Sequence, residues 1–217
     1  MSSDRRGERR PRTRSAADAA LYDAAVAILR VYVTVVHGLR VTGRENLAAV
    51  DGPVITVSNH VHYLDCAMVA AQWRRRRTTF TAKRANFSLP VAGFLVRHLG
   101  AVPIPESPGE LVAFEARLGD RLAAAEGVHF YPEGELILYD ATLRPFRSGA
   151  FTYACRRGLP VVPMVLTYGR RPWWRWRPPL RLTVLEAQRP AGTGHAHAVE
   201  LMARCREAMA RRVADGA

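Results

Sequence analysis

A histidine and an aspartate stand five residues apart where an apolar run is interrupted, and this pair is the strongest chemical signal in the sequence. The run VITVSNHVHYLDCAMVAAQW (54–73) begins as a strand-like stretch, breaks at Ser58 and Asn59, and resumes with helical spacing. A histidine can take a proton from a hydroxyl, and a carboxylate bonded to it fixes its tautomer. His60 as general base and Asp65 as its orienting partner would support attack by a substrate hydroxyl.

The spacing of this pair restricts where a helix can begin. On one regular helix, five residues place two side chains about 140° apart, so the pair would not meet. They meet only if His60 precedes the helix and Asp65 lies in its first turn, and the break after Val57 allows that start. The sequence contains no GxSxG motif, so a covalent acyl-enzyme is not indicated.

Strand-like and helix-like segments alternate through nearly all of the chain, which predicts an α/β fold with a mixed central sheet flanked by helices. Seven strand-like segments begin near residues 39, 52, 78, 101, 128, 159 and 179. Polar residues follow three of them: His60 after the second, Lys83 and Arg84 after the third, and Glu133 after the fifth. Because ligands collect at the carboxyl ends of strands in such sheets, we expect one shared site.

The charge of the chain points to a polyanionic partner. The formal net charge is +13, and Lys83 is the only lysine among 32 basic residues. That balance favours nucleic acid, an anionic membrane surface or a phosphorylated substrate. No nucleic-acid-binding motif is recognisable, so no nucleic-acid partner is expected. The three cysteines contain no CxxC pair, which argues against a metal site and fits a reducing compartment.

Three segments are predicted along the chain: a disordered basic arm at 1–15, an amphipathic helix at 16–39 and a folded domain at 40–217. No clean cleavage site marks a signal peptide. Asp23, Arg30 and His37 interrupt the apolar surface of the helix, which argues against a membrane span. Docking on a membrane surface and docking on the protein core both remain open for this helix.

Several sequence blocks, taken in order, resemble the glycerolipid acyltransferases, the family that includes 1-acylglycerol-3-phosphate acyltransferase. NHVHYLD resembles the H-x4-D motif of this family, and FYPEGE resembles its F-P-E-G block. The stretch between them and the blocks that follow are also similar: KRANFSLPVAGFLVRHLGAVPI, PFRSGAF and VVPMVLTY. The match covers about residues 40–170, so 40–217 is identified as an acyltransferase domain.

The resemblance implies a reaction and roles for particular residues. An acyl group would pass from a thioester, acyl-CoA or acyl carrier protein, to the hydroxyl of a lysophospholipid or glycerolipid, in phospholipid biosynthesis or remodelling. No metal or cofactor would be needed. His60 would be the base and Asp65 its partner, and His62, at a variable position of the motif, a bystander. The implied acceptor-binding residues are Lys83, Arg84, Glu133, Gly134 and Arg147, with Glu133 contacting the acceptor or shaping the site.

The sequence departs from the family at two arginines that the resemblance assigns to the acceptor's phosphate. Glu106 and Leu136 stand in their places, and Glu135 replaces a threonine beside the second. Leucine offers no hydrogen bond and glutamate repels an anion. The acceptor is therefore hypothesised to be a neutral or amine-bearing lysolipid or a phosphodiester lysophospholipid. Alternatively, other basic residues reach a phosphate: Lys83, Arg84, Arg144 or Arg147.

The stretch RRPWWRWRPP (170–179) carries three of the four tryptophans. It suits a lipid headgroup interface, and contact with the donor or a structural role at the sheet edge also remains open. We expect a peripheral, monotopic protein on the cytoplasmic face of the membrane. A non-catalytic lipid-binding relative is the alternative from a different class.

Overall fold

The structure is a computed structural model that describes residues 15–216, apart from 74, 75, 91, 92, 94, 95, 98, 174 and 175. The predicted basic arm lies outside the described residues except for Ser15. In the described part, helices flank one sheet, and the predicted α/β fold is confirmed.

The sheet has seven strands in the described residues, as the sequence predicts. They are β1 Arg40–Thr42, β2 Ile55–Ser58, β3 Thr78–Ala82, β4 Val102–Pro103, β5 Gly127–Phe130, β6 Val161–Tyr168 and β7 Leu180–Val184. Their order is β1-β7-β6-β2-β5-β3-β4, and every pairing is parallel except that of β6 with β7. The sheet is therefore mixed, with a parallel part that runs from β6 through β2, β5 and β3 to the edge strand β4.

Helices cover both faces of this sheet. They are α1 Ala16–Val35, α2 Arg44–Ala48, α3 Asp65–Ala70, α4 Leu111–Ala123, α5 Gly149–Arg157 and α6 His195–Gly216. A further helical segment, of which residues 90, 93, 96 and 97 are described, precedes β4. One apolar cluster joins the sheet to α4, α5 and α6, and a second joins it to α1 and α3. Neighbouring β6 residues, Met164 and Val165, point into opposite clusters, as the period of a strand requires.

The parallel pairing aligns the strand ends that carry polar residues. β2 pairs with β5 and β6, and β3 pairs with β5 on its other side. The carboxyl ends of β2, β3 and β5 therefore meet at one edge, where the chain continues into His60, Lys83 and Tyr131.

Helix α1 is shorter than predicted and has two apolar faces. It ends at Val35 rather than 39, because Gly38 takes a φ of 60° and the His37 carbonyl accepts a hydrogen bond from Leu180 N–H (3.1 Å). One face buries Tyr22 and Val33. A second face, spaced i, i+3, i+4, i+7 and i+8, is exposed to solvent: Ile28, Val31, Tyr32, Val35 and Val36. None of the described helices is long and apolar enough to cross a bilayer.

Candidate active site

Asn59 lets the chain leave the sheet without losing backbone hydrogen bonds. Its side-chain Nδ2 donates to the Leu166 carbonyl, and its Oδ1 accepts from Leu166 N–H, both at 2.8 Å. The buried amide thus takes the place of one more β2 residue opposite β6. Two residues further on, the backbone carbonyl of Val61 accepts from the Tyr168 hydroxyl (2.9 Å) and from Tyr139 N–H (3.0 Å). The turn that carries the histidine is therefore held on both sides.

His60 and Asp65 meet in this turn. The distance from His60 Nδ1 to Asp65 Oδ2 is 2.9 Å, and Asp65 is the first residue of α3. The same oxygen accepts from Val61 N–H (2.7 Å) and His62 N–H (3.0 Å), and Asp65 is fully buried. The predicted geometry, with His60 before the helix and Asp65 in its first turn, is confirmed.

This arrangement selects the tautomer of the base. Asp65 Oδ2 already accepts two backbone N–H groups, so its contact with His60 requires a proton on Nδ1. The lone pair is then on Nε2, the other ring nitrogen. The His60 side chain is 24% exposed, so a substrate can approach the ring. The pair is arranged as a general base with its orienting carboxylate.

The rings of Tyr131 and His129 pack one after the other next to the His60 ring. The His60 ring stacks on Tyr131, with centroids 4.0 Å apart and planes 18° apart. Tyr131 in turn meets His129 edge-on, with centroids at 4.7 Å. His129 is fully buried between two hydroxyls: Thr56 Oγ1 lies 2.8 Å from Nδ1, and Ser58 Oγ lies 3.2 Å from Nε2.

The hydrogen bonds of His129 fix it as a neutral ring. The single proton of the Ser58 hydroxyl goes to the Asn59 carbonyl (2.9 Å), so Ser58 must accept from His129 Nε2–H. Nδ1 then accepts from the Thr56 hydroxyl. Burial, with a smaller contribution from the charge of His60, lowers the pKa of His129 to about 3.

Glu133 lies beside the turn that carries His60 and is bound within the protein. It is buried, and its carboxylate accepts from the backbone and guanidinium of Arg144 and from His60 N–H (3.4 Å). The Arg144 guanidinium also donates to the carbonyls of His60 (3.3 Å) and Glu135 (2.8 Å). This position favours the site-shaping alternative for Glu133, and it engages Arg144, one of the proposed phosphate ligands, within the protein.

The other predicted acceptor-binding residues separate into two groups. Gly134 has a φ of 77°, and an added Cβ would lie 3.0 Å from Arg147 Nε, so glycine suits both the backbone and the close approach. Arg147 N–H donates to the Pro132 carbonyl (2.9 Å), which keeps it beside the Glu133 turn. Lys83 and Arg84 instead follow β3, where Arg84 is held by carboxylates.

Arg84 is paired with both acidic residues that follow β4. Its Nη2 lies 2.8 Å from each carboxylate oxygen of Glu110, and its Nε lies 3.4 Å from Glu106. Lys83 is exposed and forms no ion pair with another described residue. The roles predicted for these residues stay predictions.

His62 packs away from the reacting pair. Its Nδ1 accepts from Leu64 N–H (3.1 Å), and its ring meets that of His37 edge-on, with centroids at 4.8 Å. Burial lowers the pKa of His62. These contacts are structural ones and leave its reading as a bystander in place.

Sequence reasoning missed three residues that build the site, Asn59, His129 and Tyr131, and it considered Arg144 only as a phosphate ligand. A signal existed for two of them, since His129 and Tyr131 are two residues apart and so share one face of β5 and its extension. Nothing local marked the partners of Asn59 or Arg144. Among the described residues, no three His, Cys, Asp or Glu side chains converge as ligands for a metal ion.

Comparison with known proteins identifies the family of this chain. A family model described as Acyltransferase matches residues 38–167, more than half of the chain. The chain belongs to the acyltransferase family. The resemblance carried by its sequence blocks is thereby confirmed.

Relatives with related activities align with this family member over part of their length. It is 34% identical over 144 residues to the chloroplastic 1-acyl-sn-glycerol-3-phosphate acyltransferase BAT2 of Brassica napus, covering 66% of this chain and 40% of the relative. It is 29% identical over 134 residues to the lyso-ornithine lipid O-acyltransferase of Rhodobacter capsulatus, covering 56% and 47%. The chain therefore spans less than half of the length of these curated relatives.

A solved structure shares the fold of this acyltransferase family member. The crystal structure of the 1-acyl-sn-glycerophosphate (LPA) acyltransferase PlsC from Thermotoga maritima superposes with a TM-score of 0.69. The match covers 94% of this chain and 83% of that one, at 22% sequence identity. The likeness establishes the α/β arrangement with an N-terminal helix.

The buried His129 predicts how stability depends on pH. Its pKa falls from 6.5 in the unfolded chain to about 3 in the fold, so between these values only the unfolded chain takes up the proton. The stability contribution of the neutral ring is therefore complete above pH 6.5. As pH falls from 6.5 toward 3, the free energy of unfolding decreases by up to about 1.4 kcal/mol per pH unit from this group.

Denaturant titrations of wild type, His129→Gln and His197→Gln from pH 7.5 to 4.5 measure this slope. We expect a flatter slope for His129→Gln, although that variant is less stable at pH 7. The side chain of His197 on α6 is partly exposed, so His197→Gln should leave the slope unchanged. Equal slopes in wild type and His129→Gln would contradict the burial argument.

Proposed function

We propose that this protein is an O-acyltransferase that moves a fatty acyl group from a thioester to the hydroxyl of a lysophospholipid or related glycerolipid. The observation that carries the proposal is the buried Asp65 carboxylate on His60 Nδ1, which leaves Nε2 of a partly exposed ring to accept a proton. Membership of the acyltransferase family and the printed names of the relatives support the same reaction.

In the proposed reaction, the acceptor hydroxyl attacks the carbonyl carbon of the thioester. His60 Nε2 takes the hydroxyl proton as the new C–O bond forms, and Asp65 stabilises the resulting imidazolium. The C–S bond then breaks, and the leaving thiolate receives the proton from His60. The products are an ester and a free thiol, carried by coenzyme A or by acyl carrier protein, and no cofactor takes part.

Removing the base should abolish turnover. We expect His60→Ala to lower kcat by about 10²–10⁴-fold, and Asp65→Asn by about 10²-fold or more. His62→Ala is the matched control within the same motif and should retain activity within a few-fold. Free thiol is measured with acyl-CoA and with acyl-loaded carrier protein, in anionic vesicles that contain lysolipid. A His60→Ala rate close to wild type would contradict the mechanism, and vesicle binding without turnover would favour a non-catalytic lipid-binding protein.

We further propose that the acceptor carries no phosphate monoester. Arg84 is already paired with Glu106 and Glu110, and Arg144 with Glu133, so two of the four basic candidates are engaged within the protein. A dianionic phosphate near Glu106 would meet a like charge. A neutral, amine-bearing or phosphodiester headgroup avoids this repulsion, and Lys83 and Arg147 remain to contact a monoanion.

The acceptor proposal predicts a preference that one substitution reverses. With lysophosphatidic acid, lysophosphatidylglycerol, an amine-bearing lysolipid and a monoacylglycerol, wild type should use lysophosphatidic acid poorly. Glu106→Arg should raise kcat/KM for lysophosphatidic acid by about tenfold, the scale of one charge-assisted hydrogen bond. Glu207→Arg, the same charge change on exposed α6, should not. A strong wild-type preference for lysophosphatidic acid would overturn the proposal.

We also propose that the protein binds, as a peripheral monotopic protein, to the anionic cytoplasmic face of a membrane. The exposed apolar face of α1 offers a stripe of side chains for the headgroup region, and a net charge of +13 suits anionic lipids. Trp173 and Trp176 are each 89% exposed. Leu180, which follows them, bonds the His37 carbonyl just beyond α1, so aromatic loop and helix end are neighbours. Exposed aromatic side chains at such a place suit a membrane interface.

Charges on the exposed face of α1 should weaken vesicle binding. We expect Ile28→Glu/Val35→Glu to lower affinity for anionic vesicles by at least about tenfold, because two apolar contacts with the lipid are lost. Ala27→Glu/Thr34→Glu adds the same charge on the adjacent exposed polar face and should have a much smaller effect. Co-sedimentation with anionic and zwitterionic vesicles measures both. Equal losses in the two variants would contradict a lipid-facing stripe.

A further inference from the structure

We propose that Tyr131 is a positioning residue for the general base, and that its ring face fixes the plane of the His60 imidazole and stabilises its protonated form. The inference rests on the proposed function, in which His60 accepts the hydroxyl proton. It gives Tyr131, which directly follows β5, a role separate from that of Asp65.

One hydrogen bond does not by itself fix the orientation of an imidazole ring. The ring is attached to the backbone through Cβ, and the bond from His60 Nδ1 to Asp65 Oδ2 (2.9 Å) restricts its rotation, but the angular tolerance of a hydrogen bond still lets the ring tilt. The stack on Tyr131, with planes 18° apart and centroids 4.0 Å apart, removes this freedom. Together the two contacts determine the direction of the Nε2 lone pair, which decides whether the acceptor hydroxyl is in line with it.

The same contact acts on the protonated ring. A cation within about 6 Å of an aromatic centroid is attracted by the negative face of the ring. When His60 carries the proton from the substrate, its positive charge lies over the Tyr131 face at 4.0 Å. This attraction is stronger for the imidazolium than for the neutral ring, so it favours the state formed during the reaction.

Tyr131 is itself held by a rigid support. Its ring meets His129 edge-on, and His129 lies in register with Thr56 of β2 and Phe80 of β3. Both ring nitrogens of His129 are hydrogen-bonded. The Phe80 ring also packs against His129, with ring centroids 5.3 Å apart. Because burial keeps His129 neutral, the support carries no charge that would repel the imidazolium.

The ring of Tyr131, rather than its hydroxyl, carries this role. The hydroxyl is buried and forms no hydrogen bond with any described residue. Burial first, and then the nearby Cys66 and Asp65, raise the pKa of Tyr131 well above its usual value, so the phenol keeps its proton. A phenylalanine at this position would present the same face to His60.

The test compares Tyr131→Phe, Tyr131→Leu and His60→Ala as full-length proteins in anionic vesicles, with an accepted lysolipid and acyl thioester. We expect Tyr131→Phe to match wild type. Tyr131→Leu should lower kcat about tenfold with KM little changed. In Tyr131→Leu the acid limb of kcat/KM should also move to lower pH, by about half a unit, because the protonated base has lost a stabilising contact. Loss of stability alone would lower the active fraction without moving the acid limb.

A second measurement does not depend on turnover. The pKa of His60 is read from ring-proton NMR titrations of wild type and both Tyr131 variants, with His60→Ala to assign the resonance. The titration should shift downward in Tyr131→Leu only; if that variant does not fold, Tyr131→Met replaces it. A Leu or Met variant with unchanged kcat and unchanged His60 pKa would overturn the inference. Full activity in His60→Ala would instead overturn the proposed function, so the two failures are distinguishable.

Discussion

The site depends on one oxygen atom. Asp65 Oδ2 accepts hydrogen bonds from Val61 N–H, His62 N–H and His60 Nδ1, and it is fully buried at the first turn of α3. A buried carboxylate without such partners would be strongly unfavourable, so the turn that satisfies it is also the turn that orients the imidazole. The stability of the turn and the orientation of the imidazole are therefore coupled. A change in the backbone from 60 to 62 would both destabilise the buried Asp65 carboxylate and misorient the His60 ring.

Around this turn the chain is held in place by hydrogen bonds between buried polar groups, whereas elsewhere in the fold it is held by apolar packing. Asn59 completes the edge of β6 after β2 has ended, and Arg144 ties the buried Glu133 to the His60 carbonyl. Each of these groups makes several hydrogen bonds, which offsets the cost of its burial. The result is a fixed turn at the carboxyl ends of the strands. An exposed apolar face of α1 and exposed tryptophans are further features of this fold.

Much of this could be predicted from local sequence. The seven strands follow from short apolar segments between helical ones, and the break at Ser58 and Asn59, just before His60, allows the His60–Asp65 contact. The remaining features depend on residues far apart in the chain. Asn59 pairs with Leu166, 107 positions away, and Arg144 pairs with Glu133 across a loop that has no periodicity. The end of α1 at Val35 depends on Leu180, and the pairing of Arg84 with Glu110 depends on how β3 and β4 align. Amino-acid composition and hydrophobic periodicity carry no information on such long-range contacts.

The tautomer of neutral His60 is the most direct test of the proposed base. It is read from ring ¹⁵N chemical shifts of histidine-labelled protein, at a pH where the ring is neutral. Asp65→Asn, which can reverse the polarity of the hydrogen bond, serves as the reference. Because Asp65 Oδ2 accepts from Nδ1–H, we expect neutral His60 to carry its proton on Nδ1, which leaves Nε2 as the base. A neutral His60 with its proton on Nε2 would contradict this mechanism, because Nε2 would then have no lone pair to accept a proton from the acceptor.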